Sequence, residues 1–374
     1  MKILQVNKLY SPHIGGIERV IQDISEGLDD RYDISVLVCQ PKGKTADDVV
    51  NGVRVKRAGS IGTYFSMPVS FPFLYHFKKM SETADIVHVH LPFPLADLAC
   101  IISGFKGKIA VSWHSDIVKQ KKLMLLYKPF MKALLRRADC ILVATRGHIE
   151  GSAYLKPYEE KCRIVPYGID IPSYESAEKQ PVLTTRLNAP ENKKLLFTGR
   201  LVYYKGIDVL IRALSLTSDC ELFIVGDGVL RSTLEQEVIS LGIEDRVHFM
   251  GVLSDAELKA AFSDSDIFIL PSVENSEAFG IVQMEAMVYG KPVINTSLPT
   301  GVPYVSIDGI SGITVPPRDE KALAAAVEKL VHDGSLREKY GRQAYEIVRE
   351  KYDMNKVNEK ISRIYEELTG KAEK

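Results

Sequence analysis

Short apolar runs recur along the chain at intervals long enough to hold a helix. Residues 3–6, 34–38, 86–89, 109–112 and 140–143 form a first series, rich in β-branched side chains. Residues 194–198, 221–225, 247–250, 267–270 and 292–295 form a second. Most of these runs lack polar alternation, as expected of parallel strands covered on both faces by crossover helices. Each series supplies the strands of one doubly wound α/β domain. The boundary falls in the stretch 171–193, rich in Pro, Ser, Glu and Asn, which reads as a linker between domains at 1–175 and 176–374. The closing helical pattern, 320–368, alternates charge with apolar spacing, and its last helix is placed to return to the first domain. No repeat of solenoid period is visible.

Composition narrows the class. A chain of 374 residues, 45% apolar and 26% charged, exceeds what one hydrophobic core supports. No apolar run reaches the roughly 18 to 20 residues that cross a bilayer. Residues 1–7 read as a strand rather than a signal peptide, so a cytoplasmic location is expected. Cys39, Cys100, Cys140, Cys162 and Cys220 are scattered without paired spacing, which predicts reduced thiols, no disulfide and no metal cluster.

The net charge is zero, but the halves differ: residues 1–180 hold 25 Lys and Arg against 19 Asp and Glu, and residues 181–374 hold 23 against 29. No nucleic-acid partner is expected. Part of the positive excess is concentrated between Lys119 and Arg137, where Lys121, Lys122, Lys128, Lys132 and Arg136 punctuate apolar residues around Pro129. Two readings, which can hold together, stand for this basic amphipathic pattern: an ordinary helix with its apolar side in the core, and contact with anionic lipid at the inner face of a membrane. Upstream, the aromatic, proline-punctuated stretch 64–75 reads as irregular chain, either packed loop or the lining of an acceptor groove or interface.

In open α/β sheets ligands bind beyond the carboxyl ends of the strands, so candidate chemistry is sought there. After the first strand, Gly15 and Gly16 open a helix whose backbone amides can approach phosphate oxygens. After the fourth, Trp113, His114, Ser115 and Asp116 form a polar cluster. In the second half, Arg200 and Lys205 follow one strand closely and offer donors to two adjacent phosphates. Val252 lies in a small apolar loop suited to a nucleobase. Glu277 and Glu285 lie eight positions apart in a segment that starts as a loop and runs into a helix, about two helical turns. A ligand of roughly 10 Å reaches both carboxylates on that geometry, and a nucleotide-sugar has that length. His88 and His90 share one strand face, but no third ligand accompanies them, so no metal is assigned.

Taken in order, these motifs resemble the retaining glycosyltransferases of family four, with the two-domain GT-B fold. The resemblance rests on Gly15-Gly16, Gly199-Arg200, Lys205-Gly206, Gly226-Asp227-Gly228, the segment 251–255 and the paired glutamates, and it covers almost the whole chain. It implies two Rossmann-like domains facing an interdomain cleft. By the same resemblance Arg200 and Lys205 hold the diphosphate, Glu285 the ribose hydroxyls and Glu277 the transferred sugar. The amides of Phe279, Gly280 and Ile281 hold sugar hydroxyls, Gly15 and Gly16 close over the phosphates, and His114 sits over the donor sugar. Ala278 departs from the glycine that many relatives carry there.

The segments 113–117, 166–170 and 297–303 look like those of bacterial surface-polysaccharide enzymes that transfer mannose or rhamnose. The expected reaction is transfer with retained configuration and no divalent metal, from GDP-mannose to a glycan or lipid-linked saccharide. A UDP-sugar donor is the alternative within the family. A noncatalytic nucleotide-sugar binder and a sugar-nucleotide epimerase of the same fold are the alternatives outside it. A nicotinamide dehydrogenase would need a Gly-rich fingerprint that the first strand-turn-helix lacks.

Overall fold

The computed structural model describes residues 1–13, 15–64, 67–116 and 121–371, with backbone alone at 121–126. It divides into two compact units, Met1–Gly168 with Met354–Lys374, and Ile169–Asp353.

The first unit is built on an eight-stranded sheet in the order β10-β9-β8-β7-β1-β2-β4-β3. Its strands are β1 (Lys2–Val6), β2 (Asp33–Cys39), β3 (Ala46–Val50), β4 (Val53–Ala58), β7 (Ile86–Leu91), β8 (Lys108–Trp113), β9 (Cys140–Val143) and β10 (Cys162–Ile164). A separate two-stranded ribbon pairs β5 (Thr63–Tyr64) with β6 (Met67–Pro68). All pairings in the large sheet are parallel except β3 with β4. The apolar runs of the first series form its interior, with Leu4, Val36, Val87, Ile109 and Ile141 fully buried. Sequence reasoning missed the β3–β4 hairpin, although Asn51-Gly52 is a strong turn signal; both residues take positive φ, 47° and 91°. The hydrophobic run reading failed there because β3 lies at the sheet edge and is mostly exposed.

The stretch 64–75 is more regular than expected. Ser70 caps a helix, Phe71–Ser81, by accepting from the Phe73 amide at 3.2 Å, and Pro72 sits in the first turn, where a missing N–H costs nothing. Phe73 and Phe77 face the core while Phe71 and Tyr75 face outward. Phe65 and Ser66 lie outside the described residues. The basic segment forms the helix Lys121–Arg137. In its described half, Tyr127, Met131, Leu134 and Leu135 belong to the core, as the core-facing reading requires. Lys119 and the side chains of Lys121 and Lys122 lie outside the described residues.

The second unit carries a six-stranded, all-parallel sheet in the order β13-β12-β11-β14-β15-β16. Its strands are β11 (Lys193–Thr198), β12 (Cys220–Val225), β13 (Val247–Gly251), β14 (Ile267–Ile269), β15 (Val293–Thr296) and β16 (Gly312–Val315). The winding reverses between β11 and β14, which leaves a crevice at their carboxyl ends.

The stretch 171–193 is not a free linker. The contact boundary falls at Gly168, ahead of residue 175, because Ile169 pairs with Asp353 and the segment is tied down within the second unit. Asp264 accepts from the amides of Leu183 and Thr184, and buried Glu221 accepts from Asn188, Ala189 and Asn192. Its polar composition marks anchoring contacts, which composition alone does not distinguish from solvated chain. The last helix, Met354–Thr369, belongs to the first unit, where Tyr32 bonds Ser362 and Glu366.

Candidate active site

In the second unit the strand-end loops on either side of the reversal meet. β11 ends at Gly199-Arg200 and the chain makes a short turn, Tyr203–Lys205, into Gly206. Gly206 is left-handed at φ 66°, and a Cβ there would lie 2.2 Å from the Pro271 carbonyl oxygen. Only glycine fits, so the loop after β11 packs directly on the loop after β14. The Val273 amide donates to the Tyr204 carbonyl at 2.8 Å and clamps the two.

This close approach places Lys205 Nζ 2.6 Å from Glu277 Oε2. Ser272 Oγ donates to the same carboxylate oxygen at 3.2 Å. The two side chains are only 10% and 11% exposed. Arg200 is exposed and reaches the Tyr204 hydroxyl at 3.4 Å, while Lys205 Nζ lies 5.8 Å from the Tyr204 ring centre. Both cations thus gather around one tyrosine, and a dianionic group there would meet two positive charges.

Beyond Glu277 the chain turns at Gly280, φ 75°, where a Cβ would collide with Leu270 Cδ2 at 2.4 Å. Phe279 is buried with its ring edge-on to Tyr352. Gln283 fixes this turn from below, donating to the carbonyls of Phe279 and Val302 and accepting from Asn295. Ile281 precedes the helix Val282–Val288, which carries Glu285 in its first turn. The segment from Glu277 to Ile281 is loop, so the two-turn helical spacing expected of the glutamates is corrected: only the last part of it is helical. Glu285 is half-buried and accepts from the Tyr174 hydroxyl at 2.8 Å. Val252 follows β13 and is 79% exposed.

In the first unit, Gly15 caps the helix Gly16–Gly27 with extended backbone. A Cβ at Gly15 would lie 2.2 Å from Glu18 Oε2, the far end of a flexible side chain, whereas Gly16 has open space beside it. The space at Gly15 is therefore occupied by a carboxylate of the same helix, a neighbour that the phosphate reading did not anticipate.

His114 follows β8 and is buried in a hydrogen-bonded chain. Its Nδ1 lies 2.7 Å from the Tyr167 hydroxyl and its Nε2 2.9 Å from His90 Nδ1. His90 Nε2 reaches Gln5 Oε1 at 3.0 Å, Gln5 donates to the Tyr365 hydroxyl at 3.0 Å, and that hydroxyl meets His88 Nδ1 at 2.6 Å. His88 Nε2 meets Ser112 Oγ at 2.8 Å. Burial depresses all three imidazoles, His88 and His114 to about 3 and His90 well below its usual value, so they are neutral at pH 7. With Gln5 Oε1 as acceptor, one proton order satisfies every bond: His90 and His114 carry their protons on Nε2, and Tyr167 donates to His114. Both nitrogens of His114 are engaged in its own unit, so donation to a sugar hydroxyl requires one of these bonds to break. His88 and His90 are likewise occupied, and among the described residues no group of three or more His, Cys, Asp or Glu is arranged to hold a metal. Asp116 is turned inward too, accepting from Trp113 at 3.1 Å and Ser152 at 2.7 Å.

Sequence reasoning missed Tyr174, Ser272, Gln5 and Tyr365, and it gave no site role to Tyr167, although that residue lies in the singled-out segment 166–170. Ser272 was findable as a polar residue directly after a strand; the others reach their partners across long sequence separations that carry no local signal.

Comparison with known proteins shows the family. Residues 14–172 match the profile of Glycosyltransferase Family 4, and residues 184–347 that of Glycosyl transferases group 1. The O-antigen chain mannosyltransferase C of Escherichia coli is 32% identical over 346 residues, 92% of this chain and 92% of the relative. The D-rhamnosyltransferase WbpZ of Pseudomonas aeruginosa is 33% identical over 350 residues, 92% and 90% of the two chains. The crystal structure of Anabaena Alr3699/HepE in complex with UDP superposes with a TM-score of 0.81 at 20% identity, covering 98% of this chain and 100% of that one. The chain belongs to the family 4 glycosyltransferases, and its two Rossmann-like α/β units are those of the GT-B fold.

Proposed function

We propose that this glycosyltransferase is a retaining hexosyltransferase that moves mannose from GDP-mannose to a glycan or lipid-linked saccharide during surface-polysaccharide assembly. The observation that carries the reading is the pairing of Lys205 with Glu277 at the point where the strand order reverses, with Arg200 beside it. The names of the mannosyl- and rhamnosyltransferase relatives support the sugar class.

In this reading Arg200 and Lys205 bind the diphosphate and Glu277 a hydroxyl of the transferred sugar. The backbone at Phe279, Gly280 and Ile281 lines the sugar, Glu285 binds the ribose, and Val252 lies against the base. Gly15 and Gly16 approach the phosphates, and His114 serves the donor sugar. The bond from the anomeric carbon to the diphosphate oxygen breaks, and an acceptor hydroxyl bonds to that carbon on the same face. Its proton passes to the departing phosphate. The cations act mainly on charge that develops in the transition state, which is where electrostatic preorganisation has most effect. They take the place of a divalent ion. Activity abolished by EDTA and restored by manganese would reject that assignment.

A thermal-shift panel of nucleotides and nucleotide-sugars tests the donor, since a ligand of the native state raises its stability by mass action. GDP and GDP-mannose are expected to give the largest shifts. Larger shifts with UDP and UDP-hexoses would favour the second reading, which the UDP-bound structural neighbour supports. Donor incubated without acceptor is expected to yield no isomerised sugar; an isomer would indicate an epimerase.

Among the described residues no helix is long and apolar enough to cross a membrane. We read the basic face around Lys128, Lys132, Arg136 and Arg137 as a peripheral contact with anionic lipid. Flotation with vesicles containing anionic lipid, and none with neutral vesicles, is the expected result; equal flotation with both would remove the reading.

A further inference from the structure

Tyr174 belongs to a short helix, Ile171–Glu175, just after the point where the chain enters the second unit. Its hydroxyl donates to Glu285 Oε1 at 2.8 Å, across 111 residues of sequence. The tyrosine is itself held. Tyr289, on the turn after the Glu285 helix, donates its hydroxyl to the Tyr174 carbonyl at 2.8 Å, and the two rings meet edge-on. Lys259 Nζ lies 5.0 Å from the centre of the Tyr174 ring and bonds Ser173 Oγ at 2.8 Å. Two other elements of the second unit thus fix the direction from which the phenol reaches the carboxylate.

We infer that Tyr174 is a positioning residue for the nucleoside ribose, holding the Glu285 carboxylate in the rotamer that receives the vicinal diol. The inference rests on the reading of Glu285 as the ribose carboxylate. A carboxylate offers about four lone-pair directions over its two oxygens, so one donated hydrogen bond orients it without exhausting it. An unrestrained glutamate loses rotamer freedom when it binds; one already held by a phenol loses less, and that difference appears as affinity. Tyr174 touches neither the sugar nor the diphosphate in this assignment, so its removal acts on donor affinity and leaves the chemical step alone.

The test is a double-mutant cycle by calorimetry, with GDP and UDP as probes and their 2′,3′-dideoxy analogues as controls. Tyr174→Phe is expected to weaken the better-bound ribonucleotide about threefold to tenfold, with little effect on its dideoxy analogue. In the Glu285→Ala background the same substitution is expected to change nothing. With donor and acceptor, the expected signature is a raised donor KM at unchanged kcat. Unaltered affinity of Tyr174→Phe, or an equal loss for the dideoxy analogue or in the Glu285→Ala background, overturns the positioning role while leaving the nucleotide site standing. A wild-type chain that binds neither ribonucleotide, or a Glu285→Ala variant that binds as wild type, overturns the underlying ribose reading and this inference with it.

Discussion

Lys205 and Glu277 form an ion pair whose two members carry opposite assignments, one to phosphate and one to sugar. The pair sits beyond the carboxyl ends of β11 and β14, where the strand order reverses, nearly closed to solvent, with Ser272 on the same carboxylate oxygen. In the proposed cycle a donor phosphate competes with Glu277 for the lysine, and a sugar hydroxyl can satisfy the carboxylate in return. Binding the whole nucleotide-sugar therefore exchanges one set of polar contacts for another, whereas a phosphate without its sugar leaves Glu277 uncompensated.

Replacing Lys205 by alanine is expected to lower kcat by about a hundredfold or more, through loss of charge on the leaving diphosphate. It also strands a buried carboxylate, so stability should fall by about 3 kcal/mol. Steady-state turnover and urea unfolding measure the two effects separately. Near-normal turnover in a folded variant would remove Lys205 from the leaving-group role.

Glu277→Gln releases the lysine. Calorimetry is expected to show nucleoside diphosphate binding as tightly as in wild type or tighter, while the intact nucleotide-sugar gains nothing and turnover falls. A variant that loses affinity for the bare diphosphate would show that Glu277 orients Lys205 for phosphate rather than competing for it.

The first unit should be sensitive to acid. Burial depresses His88 and His114 to about 3, His148 to about 4, and His90 well below its usual value. Unfolding frees each to bind a proton at its ordinary pKa of 6.5, so their contribution is complete above 6.5 and is lost as pH falls toward 4 and 3. Each adds a slope of up to about 1.4 kcal/mol per pH unit in that window. The urea midpoint at pH 5.5 is expected below that at pH 7.5, and His148→Asn should reduce the difference. Equal midpoints would contradict the buried neutral network.

Asp97 works in the opposite direction. It is fully buried, with the Tyr127 hydroxyl beside its carboxyl group. Burial raises its pKa to about 7, above the ordinary 3.8, so its neutral form is favoured at low pH and stability is lost as pH rises through 7. Asp97→Asn is expected to stabilise the protein by about 1 to 3 kcal/mol at pH 8.5, with the gain shrinking toward pH 4. A destabilised variant at pH 8.5 would show that the carboxylate has a partner worth keeping.

The sequence determined the fold class and both series of strands, because a strand covered on two faces must be apolar along its length and so announces itself locally. It also placed Arg200, Lys205, Glu277 and Glu285 after their strands, because parallel sheets gather functional loops at carboxyl ends. β3 escaped, since its exposed faces carry no apolar signature. Only tertiary structure decided that Lys205 closes on Glu277, that Tyr174 holds Glu285, and that His114 is tied through His90 and Gln5 to Tyr365. Each of these joins residues that are remote in the chain and adjacent in space. Their meeting depends on close packing of backbone, as at Gly206 against Pro271, and that distance is set by the whole unit rather than by any local run of residues.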